Sequence, residues 1–532
     1  MDMSKTTPHG PLLLGGFMGT GKSTVGPLVA SCAGVPFIDL DATIEAATGT
    51  SITSLFETAG EAAFRQVESA TLQQLLASPE PRVIALGGGT LVDPHLRNFA
   101  LHHARVINLV ARPDTIANRV HAPGRPLLDS ATHPLHRIRE LLTAREHAYA
   151  DAHGLIRTDQ RDPTDIARAI LQAWQDEALL VRTTSASYAA RITHDAPTSL
   201  AELVRSLAPS STFLVTDHNV EPIAAPPIIN ALRAANIPVV GKVVLTPGET
   251  HKQWPAVHHI LQHLVTAGAD RNSLVIALGG GVVSDITGFA AAILFRGVRW
   301  IATPTTMLSM VDAAVGGKTA VDLGPAKNAV GAFHQPAGVI IHPAYVVTES
   351  TRAYTSGLAE VIKSGAIADP SLIELIERER QSVLDRNPTI LQELIRRSLR
   401  IKADIVSRDE RESGERMLLN FGHTIGHGLE AAGNYNRLTH GEAVALGIVA
   451  VLRFGQARGI TSPNVAKRVE DLLEAIGLPT NLSEQPLDEA MKLVAFDKKR
   501  TATNVRMVLL EDVGRARIES VPLDELRRFF GG

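Results

Sequence analysis

Twice in this chain an apolar run of strand length empties into three glycines: Val-Ile-Ala-Leu-Gly-Gly-Gly stands at 83–89 and again at 275–281. Their flanks do not match and no period connects them, so the repetition is convergence rather than a solenoid. A buried strand that ends by offering bare backbone to a ligand is the pattern of an α/β layer with its site at the carboxyl ends of parallel strands. Other apolar runs ending near glycine alternate with helical periodicity through both halves, which excludes all-α and all-β classes. With 532 residues the chain exceeds a single core of the usual size, so several domains are expected.

The organisation is bipartite. Spacing of Ile166, Ile170 and Trp174 predicts an amphipathic helix over 165–174 that closes the front half. We place the front domain at 1–175 and read 176–190, with its polar stretch 183–187, as a linker. Strands are predicted at 212–215, 274–278 and 300–303, within an α/β unit over 191–345. From about 355 onward the pattern turns to long helices, such as 371–385 and 390–407, which defines a helical unit over 346–532.

Composition sets limits. Apolar residues are 45% and charged residues 20%, as in a globular protein, and 52 basic against 55 acidic residues leave a net charge of -3. No global field would hold nucleic acid or an anionic membrane, so small-molecule substrates are expected. Cys32 is the single cysteine, so no internal disulfide can form and a metal site must use histidine and carboxylate. Without a secretory leader or an apolar run long enough to span a bilayer (443–452 is too short), a cytoplasmic address is expected.

In the front half, Gly16-Phe-Met-Gly19-Thr20-Gly21-Lys22-Ser23-Thr24 follows an apolar strand and opens a helical stretch, matching a phosphate loop. Inward-pointing backbone N–H groups would cradle the ATP phosphates, Lys22 would neutralise the transferring group, and Ser23 would hold Mg²⁺. Asp39 and Asp41 end the next apolar run, and strand alternation predicts both carboxylates on one face. Paired acids at a strand end are commonly solvated turn residues; Arg65, the glycines 87–89 and Arg145 shift that balance. On these residues the front half resembles shikimate kinase. The resemblance implies that Asp39 serves Mg²⁺, that Asp41, Arg65, Gly88, Gly89 and Arg145 grip shikimate, and that Arg125 is a lid arginine reaching ATP. Lys22 and Asp41 would carry the transfer, an acid orienting the attacking hydroxyl while arginines clamp the carboxylate.

In the back half, His423 and His427 lie four apart, as on one helix face, and His440 supplies a third imidazole. Two imidazoles and a carboxylate would leave Zn²⁺ an open position, with Glu360 the best carboxylate. A histidine pair at this spacing can equally be a plain helix surface. From about 185 onward the chain resembles 3-dehydroquinate synthase. The resemblance implies that Glu360, His423 and His440 hold Zn²⁺ or Co²⁺, with His427 beside the substrate. NAD⁺ would contact Asp217, Asn219, Glu249, Lys252, Gly280, Gly281, Asp285, Thr305, Thr306, Lys318, Lys327 and Thr348. Asp312, Lys318, Lys327, Asn328, Lys363, Lys402, Arg416, Asn420, His427 and Lys498 would line the substrate pocket, with Lys318, Lys363, Lys402, Arg416, Asn420, His427 and Lys498 active in the reaction. Arg296 would reach the phosphate from a partner subunit in a homodimer.

The substrate implied is a heptulosonate phosphate, taken through transient oxidation, phosphate elimination, re-reduction, ring opening and aldol closure. A phosphorylated acid needs a concentration of cations that a polyol does not, which separates this reading from a glycerol-dehydrogenase-like one; other sugar-phosphate cyclases remain closer rivals. The chain departs from the family at Ala353, where a glutamate is usual, and at His342-Pro343, where an aspartate is customary. A front domain acting only as a nucleotide-binding regulatory module is the alternative for that half.

Overall fold

A computed structural model describes residues 10–120, 134–324, 326–433, 435–498 and 504–530. The front sheet contains β1 (Leu12–Gly16), β2 (Phe37–Asp39), β3 (Val83–Ala85), β4 (Arg105–Val110) and β5 (Gly154–Arg157), all parallel, in the order β2-β3-β1-β4-β5. Every residue of the central β1 is buried, because helices cover both faces of a parallel sheet, which is why its sequence is an unbroken apolar run. The helix Pro163–Gln175 closes the domain; Pro163 sits at its first position and Asp162 caps it.

No linker follows. The stretch 176–190, expected as a connector, is mostly strand: β6 (Glu177–Arg182) and β7 (Ser187–Ile192) pair antiparallel and form one edge of the second sheet. Only the turn between them matches the expected polar break. Polar composition misled here because an edge hairpin needs few apolar residues.

The second sheet adds β8 (Thr212–Asp217), β9 (Val239–Leu245), β10 (Leu274–Gly279), β11 (Arg299–Pro304) and, later in the chain, a strand at Val339–Ile341, in the order β6-β7-(339–341)-β11-β10-β8-β9. A hairpin, Lys318–Leu323 against Ala326–Phe333, projects from it. Long helices follow, among them Thr351–Ala368, Pro388–Arg408, His423–Ala432 and His440–Ala457. The helix expected over 371–385 is broken at Glu379 into Pro370–Arg378 and Arg380–Leu384. A second hairpin, Asn504–Asp512 with Arg515–Pro522, interrupts the helical unit. One apolar cluster runs without a break from β6 through the sheet into these helices, so α/β and helical parts share a core and the cleft between them has fixed walls. Among the described residues no helix is long and apolar enough to cross a membrane.

The two halves are joined by half-buried polar contacts. Asp151 accepts from Arg97 (2.9 Å) within the front domain and from Arg182 (2.7 Å) and Ser187 (3.1 Å) of the hairpin. Arg105 donates to the Ala178 carbonyl at 2.7 Å, and Arg161 forms two bonds with Glu202 at 2.8 and 3.0 Å. Asp151 itself is nearly buried, so removing it leaves two partly buried guanidinium groups, Arg97 and Arg182, without their shared counter-charge. Asp151→Ala is therefore expected to lower stability by roughly 3 kcal/mol, read as an earlier first transition in urea unfolding; an unchanged transition would mean the junction contributes nothing.

Candidate functional sites

The front site is built where β1, β2 and β3 end. Gly16, Gly19 and Gly21 adopt left-handed backbone, and a Cβ on Gly16 would stand 2.2 Å from the Leu109 carbonyl oxygen, so the loop demands glycine there. Lys22 folds across the loop, its Nζ donating to the carbonyls of Gly16 (2.9 Å) and Phe17 (3.0 Å). Thr20 is buried beneath the loop, and Thr24 lies in the first turn of the helix Lys22–Ala33. Ser23 Oγ lies 3.2 Å from Asp39 Oδ2, so hydroxyl and carboxylate can share one cation.

Asp41 is not on the strand. β2 stops at Asp39, whose carboxylate caps the helix Leu40–Thr48, and Asp41 occupies the first turn of that helix. Alternation along a strand therefore does not explain its position; the helix start does. Burial first, then the neighbouring Glu68 and Asp39, push the Asp41 carboxyl up to about 6. Arg65 pairs with Glu68 (2.7 Å) and Glu61 (3.2 Å), and a Cβ on Gly89 would fall 2.5 Å from its guanidinium, so the bare backbone admits the arginine. Arg145 (3.2 Å) and the Tyr149 hydroxyl (2.7 Å) both donate to the Gly88 carbonyl. Sequence reasoning missed Glu68, which is 1% exposed, takes Thr90 Oγ1 at 2.5 Å and organises the pocket. A lone glutamate inside a helix carries no motif that would have revealed it. Arg125 lies outside the described residues.

The back site is a cleft of about 1300 Å³ between the sheet and the helices. One wall is made by the carboxyl ends of β8, β10 and β11. Asp217 accepts from the N–H groups of Asn219 (2.8 Å) and Val220 (3.0 Å) in the turn that leads into the helix Glu221–Ala234. Gly280 and Gly281 open the helix Gly281–Ile293, with Thr305 and Thr306 beside them. Thr305 Oγ1 is buried with no hydrogen-bond partner among the described residues. Lys252 binds Asp285 (2.5 Å) and the Asn328 side chain (2.6 Å), Glu249 stands 3.5 Å from Lys327, and Thr348 lies on the rim.

On the opposite wall three helices converge. Glu360, in Thr351–Ala368, lies 3.3 Å from His423 Nε2 and 3.4 Å from His440 Nε2, the two histidines each opening a helix. Glu360 Oε1 is buried with no hydrogen-bond partner among the described residues, an orphaned acceptor facing two imidazole nitrogens. His423 Nδ1 faces the Phe421 carbonyl at 3.2 Å and His440 Nδ1 faces Glu430 at 3.5 Å, which leaves both Nε2 atoms toward Glu360. This donor set fits a divalent metal with an open position. His440 is held by close packing: a Cβ on Gly441 would stand 1.8 Å from the Ser356 carbonyl oxygen. Glu442 belongs to the capping box of the same helix and binds Arg352, next to the unusual Ala353. His342 Nδ1 lies 3.0 Å from the Thr193 carbonyl.

Cations fill the rest. Lys363 contacts Glu360, and Lys402 binds Asp312 at 2.7 Å. Burial alone would raise Glu360, but Lys363 and His423 outweigh it and hold the carboxyl well below its usual range. Burial pushes Lys402 down to about 8 against the pull of Asp312. Lys318 binds Glu412 (2.5 Å), which also takes Asn420, and Lys327 binds Glu430 (2.8 Å). Arg416 donates to the carbonyls of Glu410 and Gly316, and Gly316 must lack a Cβ to admit it. His427 faces the cleft beside His423 and His440, with ring centroids 5.3 and 6.0 Å away. Arg296 is not among the lining residues; it lies exposed on a short turn with left-handed backbone. Lys498 ends the helix Leu487–Lys498, and its side chain lies outside what is described. Glu412 and Glu430 were missed: each balances a lysine that sequence reasoning did find.

Family models match this geometry. Residues 242–356 match the 3-dehydroquinate synthase N-terminal model and 357–500 the C-terminal one, while 18–175 match the shikimate kinase model. A 3-dehydroquinate synthase of Thermoanaerobacter pseudethanolicus is 40% identical over 341 residues, covering 64% of this chain and 96% of the relative. The chain belongs to the 3-dehydroquinate synthase family. A 3-dehydroquinate synthase of Bradyrhizobium diazoefficiens is 43% identical over 329 residues, 60% of this chain and 86% of that one. Among solved structures, a 2-epi-5-epi-valiolone synthase from Streptomyces hygroscopicus, with NAD⁺ and Zn²⁺ bound, is 26% identical at a TM-score of 0.58, covering 64% of this chain and 94% of its own. A 2-deoxy-scyllo-inosose synthase at 23% identity and TM-score 0.60, covering 67% of this chain and 100% of its own, shares the fold. In this 3-dehydroquinate synthase half, Glu430 faces His440 Nδ1 at 3.5 Å and so orients that candidate ligand. Glu430→Gln is expected to weaken zinc binding about 10- to 100-fold, measured by competition with a chromophoric chelator; unchanged affinity would contradict that role.

Proposed function

We propose that the chain is a bifunctional enzyme of the shikimate pathway. Its front domain phosphorylates shikimate with ATP, and its back half converts 3-deoxy-D-arabino-heptulosonate 7-phosphate to 3-dehydroquinate and phosphate. The observation that carries the back reading is the convergence of Glu360, His423 and His440 in a cleft also lined by Lys318, Lys327, Lys363, Lys402 and Arg416. Each of the four lysines already has a carboxylate partner, so the cleft holds its cations ready without a ligand, and a phosphate ester that also bears a carboxylate can use them where a polyol cannot.

In the front site, Ser23 and Asp39 would share Mg²⁺, with Lys22 and the loop amides, Gly19 to Thr24, over the ATP phosphates. Arg65 and Arg145 would clamp the shikimate carboxylate, and Asp41 would accept the proton of the attacking hydroxyl. The intact acceptor pocket favours catalysis over a purely regulatory module. Glu68 keeps Asp41 easily protonated and holds Arg65, so one buried acid serves both roles.

In the back site, Glu360, His423 and His440 would hold Zn²⁺ or Co²⁺, and the glycine and threonine ends of the strands would receive NAD⁺. When bound, the metal supplies Lewis acidity at a ring hydroxyl and the nucleotide a reversible hydride sink. Lys363 neutralises Glu360 and leaves the metal ligands fixed. Lys402, with its depressed pKa, would bind substrate oxygens and exchange protons with them, while the ionised Asp312 would hold it in place. Arg416, held by two backbone carbonyls, offers its remaining donors to an anionic group, while His427 and Asn420 orient the substrate. We further place the enzyme in the cytoplasm, as a homodimer through the back half, with Arg296 reaching the partner's cleft.

Each half has its own test. Asp41 must be ionised to accept a proton, so kcat/KM for shikimate is expected to fall as pH drops through about 6 in the free enzyme. A carboxyl raised above its unfolded value opposes folding once ionised, so Asp41→Asn is expected to stabilise the front domain at pH 7, by roughly 1 to 3 kcal/mol. The same variant is expected to lose at least about 100-fold in kinase kcat. A variant that loses stability and keeps activity would overturn the assignment. For the back half, phosphate release from the heptulosonate phosphate is expected to require NAD⁺, to stop with chelator and to return with zinc; release without either would contradict it.

A further inference from the structure

Between the two halves lies a second cavity, of about 860 Å³, that neither reaction uses. Its walls come from the front domain, at the strand end Arg157 and the start of the helix Pro163–Gln175, and from the back half, at β7 and the helix Ala196–Leu207. Six arginines line it, Arg112, Arg157, Arg161, Arg168, Arg191 and Arg205, against four carboxylates. Most are already matched: Arg157 with Asp159 (2.9 Å), Arg161 (2.8 Å) and Arg205 with Glu202, and Arg168 with Asp165 (2.7 Å).

Arg191 is different. It is 6% exposed, yet its Nε is buried with no hydrogen bond among the described residues, and its carboxylate neighbour Asp176 stands 3.9 Å away. Asp176 is already committed to Gln172 (2.8 Å) and Ser199 (3.0 Å). Arg105 lies close enough to add to the positive potential, pushed down to about 10 by burial and by Arg191. Arg112 forms no ion pair among the described residues and stands exposed on the rim. A guanidinium fork in so dry a place, facing a polar cavity, is a receptor for an oxyanion that can take two parallel N–H bonds. The remaining walls carry hydroxyls and amides, among them Thr198, Ser199, Gln160 and Asn236, and no aromatic ring, which suits a small polar molecule.

We propose that this inter-domain cleft binds a small anion through a phosphate or carboxylate group, with Arg191 as its anchor. Such a ligand touches both enzymes at once, so its occupancy also stabilises their docking. The site is independent of the two reactions and stands or falls apart from them.

Crystals of the full-length protein, grown without phosphate or sulfate and soaked in tungstate, test it directly. An anomalous peak within bonding reach of Arg191 is expected, in addition to any at the catalytic clefts. In solution, equilibrium dialysis with labelled inorganic phosphate is expected to show one site fewer per chain in Arg191→Met than in the wild type, with the KM values of both reactions within twofold. Should that variant fail to fold, Arg112→Ala at the exposed rim is expected to weaken phosphate at this site about fivefold. Displacement of label from it by glycerol 3-phosphate but not citrate assigns a phosphate ester, and the reverse a carboxylate. Tungstate peaks confined to the catalytic clefts, or equal phosphate stoichiometry in both proteins, would overturn the proposal.

Discussion

The back half depends on a row of alternating charges buried where its sheet meets its helices. Glu360, Lys363, Asp312 and Lys402 lie side by side, none of the first, second and last more than 6% exposed, and each charge is tolerable only because of the next. Burying any one alone would cost several kcal/mol in so dry a place. Their mutual compensation lets the protein hold a candidate metal-ligand carboxylate and two lysines inside a core that runs continuously from sheet to helices. An anionic substrate entering there meets cations whose partners can yield to it without reorganising the walls.

The front domain solves the same problem on a smaller scale. Glu68 is its buried counter-charge: it pairs with Arg65 and, after burial, raises Asp41, so the proposed proton acceptor and the proposed carboxylate clamp are set by one glutamate. Between the halves, the hairpin at 177–192 is pinned to the front domain at Asp151. Its turn binds the carboxylate of Glu410, whose carbonyl holds Arg416 in the back cleft. The fusion is thus a packed junction rather than two enzymes on a tether.

Much of this was legible in the sequence. The phosphate loop is visible because its glycines are required by left-handed backbone; the four-residue spacing of His423 and His427 draws attention to that helix, although the candidate ligands His423 and His440 open different helices. The lysines of the back cleft were found through the family resemblance. What stayed hidden were the partners: Glu68, Glu412 and Glu430 carry no motif, since a counter-charge can come from any helix that passes nearby. The hairpin was hidden by its polar turn. Asp41 was placed on a strand because a two-residue spacing looks alike at a strand end and at a helix start. Arg296 was assigned to a partner subunit's pocket, and in this chain it stands exposed and outside the cleft lining.

The central claim is that this charge-balanced cleft closes a carbocycle from a phosphorylated heptulosonate. The most direct measurement is ¹³C NMR of the product formed by the purified full chain from uniformly labelled substrate with NAD⁺ and zinc. The account predicts the carbon connectivity of 3-dehydroquinate, formed in step with one phosphate released and with no net NADH. Phosphate released without ring closure, or a cyclitol with a different skeleton, would contradict it.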